Sequence, residues 1–284
     1  MISGRSQRLG RIFLSLVLGS VLTIVVFRIQ ALLPLSVGIL TLRPLAATAV
    51  VVGYRGGIAG VGGVALGYSS YVVYHQTLGP LLLLEGVGFV ILGVGAATLV
   101  AERPVSLARS PPELRNGPRL RYALIALFGV CVSVSAVLAA AYEVLALADF
   151  YPFAATRVTE LTVSMLLFAV PTLVVTDRLA NRVLSDDFPA VADAAPSGRS
   201  DTVRPRLSRF LGLSLLWVLT GSTISMGYHV AEQIPIIAFY RRGLELLIPL
   251  TDPRLVGHGG RTLQIALGTV FLLLLATTLY RSRV

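Results

Sequence analysis

Apolar runs about as long as a bilayer is thick recur along the chain, and they restrict its fold more than any other feature. They lie at about 12–33, 36–54, 57–76, 79–101, 120–147, 156–180, 208–229 and 262–280. Each supplies the roughly 20 residues that a membrane-crossing helix needs. Hydrocarbon offers no hydrogen bonds, so a spanning segment must satisfy its own backbone, and a helix does so within one segment. The expected fold class is therefore all-α: a polytopic transmembrane helix bundle of about eight spans in the cell membrane. Composition agrees. Of 284 residues, 55% are hydrophobic and 13% charged, against roughly 25% charged in an average soluble protein; mean hydropathy is +0.80. The first run follows Arg5, Arg8 and Arg11 and lacks a small-x-small cleavage site, so it reads as an uncleaved span. In the second run, Arg43-Pro44 places the start of regular helix near Pro44. Residues 1–184 form a six-span block. A polar cytoplasmic linker follows at 185–207, then a two-span region at 208–284. Within the last, about 230–261 carries Arg241-Arg242, Glu245, Asp252 and Arg254 and reads as an extracellular or interfacial segment.

All 24 cationic side chains are arginine. With no lysine, the chain has neither a P-loop lysine nor a Schiff-base lysine. A single cysteine, Cys131, excludes an internal disulfide and a thiolate metal cluster. With both termini in the cytoplasm, 17 arginines fall in cytoplasmic segments and 7 outside, as the positive-inside rule requires. The net charge of +10 is then largely topological, and nucleic acid is not an expected partner. Arg109, Arg115 and Arg119 belong to the cytoplasmic set.

In this topology the ionisable residues inside the first six spans fall in their outer halves: Arg43, Glu85, Glu143, Arg157 and Glu160, with Tyr71, Tyr74 and His75 ending the third span. Arg157, Glu160 and Ser164 share one helical stripe, and Tyr68, Tyr71 and His75 repeat that spacing. Charges at membrane depth normally face a bundle interior or a wet cavity, so the set suggests an outward-open polar pocket with aromatic walls. Plainer readings stand beside it. Arg157 and Glu160 suit a local i, i+3 pair reaching for headgroups. Glu143 suits simple solvation at a span end, and Tyr71 and Tyr74 suit an interfacial aromatic belt. Glu85, preceded by four leucines, reads as buried and either paired or protonated. The glycines from Gly53 to Gly67 include three i, i+4 pairs, which suit close helix packing. No catalytic constellation and no metal-ligand spacing occurs. An enzyme, a bound metal and a cofactor are all unexpected.

Residues 36–180 resemble the membrane-embedded S components, the substrate-binding subunits of energy-coupling factor vitamin transporters. The resemblance rests on Leu42-Arg43-Pro44-Leu45-Ala46 leading to Gly53-Tyr54-Arg55-Gly56-Gly57-Ile58-Ala59-Gly60, on Gly86-Val87-Gly88-Phe89 through Gly95, and on Asp149-Phe150-Tyr151-Pro152-Phe153 leading into Arg157 and Glu160. Spans seven and eight depart from a six-helix S component. The resemblance implies capture of a small water-soluble, vitamin-like ligand from the outer side. It also implies coupling to a transmembrane T subunit and to cytoplasmic ATPase subunits, with Arg43, Glu85, Arg157 and Glu160 for ligand polar groups and Tyr71 and Tyr74 for stacking. The same pattern is similar to the multi-helix sensor domains of some signalling proteins, so a membrane sensor or scaffold module acting through a partner remains the alternative.

Overall fold

A computed structural model describes residues 2–33, 35–37, 40–75, 79–100, 117–145, 147–176, 200–233 and 261–280. Among them the chain is helical apart from a short ribbon. Helix α1 is Ile2–Leu32. Strands β1 (Ser36–Val37) and β2 (Leu40–Thr41) pair antiparallel, with Ser36 opposite Thr41. Helix α2 is Pro44–Tyr74, α3 is Pro80–Gly95 and α4 is Gly117–Val144. Helix α5 is Phe150–Ser164, α6 is Ser200–Gln233 and α7 is Arg261–Tyr280. A π-helical segment at Ala96–Val100 follows α3, and another at Met165–Ala169 follows α5.

Among the described residues, six helical segments are long and apolar enough to cross a membrane, and Gln264–Thr278 is a shorter apolar helix. One of the six, Pro44–Tyr74, is α2, which covers the second and third predicted spans. Its course is not straight. Gly57 has φ 61° and ψ −152°, a region that essentially only glycine occupies. There the chain turns back on itself. A Cβ placed on Gly60 would come within 2.6 Å of the Val52 carbonyl oxygen, whereas eight residues of continuous helix span about 12 Å. Gly93 of α3 touches both Ala49 and Val61. Along α1, Ser15 faces Gly56 and Gly19 faces Val52, while Leu16 meets Gly63 and Ser20 meets Gly67. Residues 44–56 therefore run antiparallel to α1, and 58–74 run parallel to it. The two halves are about 20 and 25 Å long. Regular helix begins at Pro44, as its position after Arg43 predicts.

The predicted polar linker differs in extent. Residues 200–207 already belong to α6, because polar composition marks solvation without preventing a helix. Residues 185–199 lie outside the described residues, as do 234–260 of the predicted interfacial segment.

The chain divides into two compact units, Met1–Cys131 with Thr159–Leu207, and Val132–Val158 with Ser208–Val284. In the first, glycines let backbones meet: a Cβ on Gly53 would collide with Gly93 of α3, and one on Gly63 with the Leu16 carbonyl of α1. The Ser20 hydroxyl bonds the Gly63 carbonyl at 2.9 Å across that contact. The i, i+4 glycine pairs thus pack the chain against itself.

The second unit is built on α6 and α7, antiparallel in their contacts. Trp217 meets Phe271 (ring centroids 5.7 Å, 4°) and Gly268, while Gln264 Nε2 donates to the Gly221 carbonyl at 2.8 Å. The Phe150 ring lies against Gly221. Ser133 and Ser214 share a 2.6 Å hydrogen bond in the interior. Glu143 corrects its expected place at a solvated span end. It is buried, and its Oε2 accepts the Phe150 N–H at 2.9 Å. The physical reason is that the first amides of a helix lack internal partners, and a carboxylate seven residues upstream satisfies one.

Candidate functional site: a guanidinium between two carboxylates

Three residues distant in sequence meet in the first unit. Arg43 precedes Pro44 as the N-cap of α2, with φ −121° and ψ 76°. Its backbone N–H donates to Ser164 Oγ at 2.8 Å, so the non-helical residue is anchored on α5. Its side chain forks. Nε donates to Glu160 Oε2 at 3.0 Å, and Nη1 donates to Glu85 Oε2 at 3.1 Å. The Thr41 amide, at the end of β2, donates to the other Glu160 oxygen at 3.2 Å. Gln30 of α1 accepts the Leu45 amide at 3.4 Å, so α1, the ribbon, α2, α3 and α5 all contribute to this end of the unit.

The local sequence explains the convergence. Pro44 lacks an N–H and suits the first helical turn, which leaves Arg43 extended and its side chain free to reach sideways. Glu85 sits in the second turn of α3, where Gly86 meets the Tyr68 ring and lets the helices close up. The Tyr68 hydroxyl donates to the Leu82 carbonyl at 2.7 Å beneath it. Side-chain exposure is 19% for Arg43, 15% for Glu85 and 8% for Glu160. The cluster is thus largely withdrawn from water yet reachable at its edge. Removing one partner from such a buried pair typically costs about 3–5 kcal/mol. The guanidinium takes the position that a cation would take between two carboxylates. Among the described residues, no group of three or more His, Cys, Asp or Glu is placed to hold a metal.

The other predicted site residues are Tyr71, Tyr74 and Arg157. Tyr71 stacks on Phe27 at 3.9 Å, with the Arg28 guanidinium 5.3 Å from its ring centre and His75 at 4.4 Å. Tyr74 is 76% exposed and touches the edge of His75. Arg157 belongs to the second unit, where it is buried with its guanidinium 5.0 Å from the Phe153 ring centre. Arg43, Glu85 and Glu160 are therefore brought together, while the two tyrosines form an aromatic group at the end of α2. Gln30 and Thr41 carry no sequence signal that would have drawn them in. Ser164 had one, its place on the Glu160 stripe.

At the Gly57 end of the same unit, Arg55 makes a second anchor. Its Nη2 donates to Thr176 Oγ1 at 3.0 Å and to the Leu173 carbonyl at 3.4 Å, and its Nε also reaches Thr176 at 3.2 Å. Residues 44–56 are thus tied to the 159–176 segment by an arginine at each end. Comparison with family models, curated proteins and solved structures finds no match for this chain.

Proposed function

We propose that the chain is an integral membrane substrate-binding protein. In this reading it captures a small water-soluble, vitamin-like metabolite from the outer side and is energised by separate subunits, a transmembrane T subunit and cytoplasmic ATPases. The observation that carries the reading is the Arg43–Glu85–Glu160 cluster. Charges at membrane depth are costly and are usually retained for function, and this set keeps part of its surface reachable. The positive-inside arrangement puts Arg43 and Glu85 at the outer end and Arg55 at the cytoplasmic end, which suits outward capture.

The sensor or scaffold alternative is motivated by the Gly-rich helix faces and the Arg-rich loops. Gly19, Gly53, Gly60, Gly63, Gly67 and Gly93 all meet the chain's own atoms, which supports the packing role of these glycines over a partner contact. Native mass spectrometry of the purified protein tests the binding-protein reading. A small metabolite should co-purify and be lost on Glu85→Gln with the fold intact. If nothing co-purifies, and uptake is unchanged in Glu85→Ala and Arg157→Ala, the reading is wrong. A crosslinked T subunit and ATPase would support the transport assembly; a signalling partner would support the alternative.

A further inference from the structure

The two arginine anchors pose a geometric problem that the π-helical segment resolves. Glu160 and Ser164 engage Arg43 upstream of Met165–Ala169, and Thr176 engages Arg55 downstream of it. Ser164 and Thr176 are twelve residues apart. In a plain α-helix that separation turns two side chains about 120° apart around the axis. The segment contains a π bond: the Val170 N–H reaches the Met165 carbonyl, five residues back. Such a turn absorbs one extra residue. Eleven α-helical residues leave only about 20° between the two side chains, so both face residues 44–56. The π turn thus brings both anchors onto the face that meets residues 44–56.

We propose that the π turn is a register switch linking the two ends of this helix pair. When the Glu160 and Ser164 end disengages from Arg43, the turn is free to revert to α-helix. The 170–176 stretch then rotates relative to the upstream helix, and the Arg55–Thr176 anchor no longer has to hold it. Movement at the polar cluster thereby reaches the Gly57 end of the unit without a change in the length of α2. The proposal rests on the two anchors and the π bond, and it stands whether or not a metabolite binds.

A double-mutant cycle in the full chain, purified in nanodiscs, tests it through thermal unfolding midpoints. Glu160→Gln loosens one anchor and Thr176→Val the other. Each single substitution releases the turn and recovers part of what it costs to hold, so the double variant should lose more than the sum of the singles. Independent sites this far apart normally add, and additive midpoints would overturn the switch. Exchange of the Val170 amide decides the matter even if the double variant does not fold. Each single substitution should change its protection several-fold; unchanged protection in both would also overturn the proposal.

Discussion

At the residue scale, the structure shows why the few charged side chains inside the spans are tolerated. Arg43 meets two carboxylates, and each lies on a different helix. Substituting the shared member should therefore be the most damaging. Arg43→Gln removes the guanidinium that Glu85 and Glu160 share and should lower stability by about 3–5 kcal/mol; thermal unfolding in detergent measures it. Glu85→Gln keeps a hydrogen-bonding group beside a still-paired Arg43 and should cost clearly less in the same assay. Glu143 has a different task, since it satisfies an amide at the start of α5. Glu143→Ala should lower stability by about 1–2 kcal/mol, the cost of a lost helix cap, with no effect on ligand retention. The sequence reads Glu85 as buried and either paired or protonated, and Glu160 as either a pocket residue or half of a local pair with Arg157. Its observed partner, Arg43, is 117 residues away. Local spacing shows which side chains share a stripe, and it carries no information about which distant helix will pack against that stripe.

At the scale of elements, the break in α2 matters most. Gly57 adopts a backbone conformation closed to side-chain-bearing residues, and the helices on either side pack against α1 and α3 through glycine contacts. Gly57→Ala should be destabilising by about 1–3 kcal/mol from strain alone, visible as a lower unfolding midpoint, whereas Gly62→Ala, where an added Cβ meets nothing, should be neutral. The second unit offers a steric test. Phe150 fills the space that a side chain at Gly221 would need, so Gly221→Ala should destabilise and Phe150→Leu should partly rescue it. The glycine cluster and Pro44 were legible in the sequence as close helix packing and a helix start. The ribbon at 36–41 and the two π segments were not. A two-residue strand has no periodicity to read, and a π turn leaves no pattern beyond one residue too many.

At the scale of the whole molecule, six helical segments among the described residues are apolar enough to cross a membrane, and the distribution of arginine predicts an orientation. Both termini are expected in the cytoplasm. Green fluorescent protein fused at either end should fluoresce, and alkaline phosphatase fused there should be inactive; active phosphatase at both ends would reverse the inferred topology. The sequence by itself determined that the chain is helical and built for a bilayer, because transfer of apolar surface and the cost of unpaired backbone depend on composition and run length alone. It also determined which side chains would be expensive to bury, because desolvation belongs to the residue. Only the tertiary structure decided who pairs with whom. Arg43 reaches Glu85 and Glu160, Arg55 reaches Thr176, and Glu143 caps α5, because pairing depends on the rotation and register of packed helices. That register turns on a glycine at one break and on a single extra residue at the π turn.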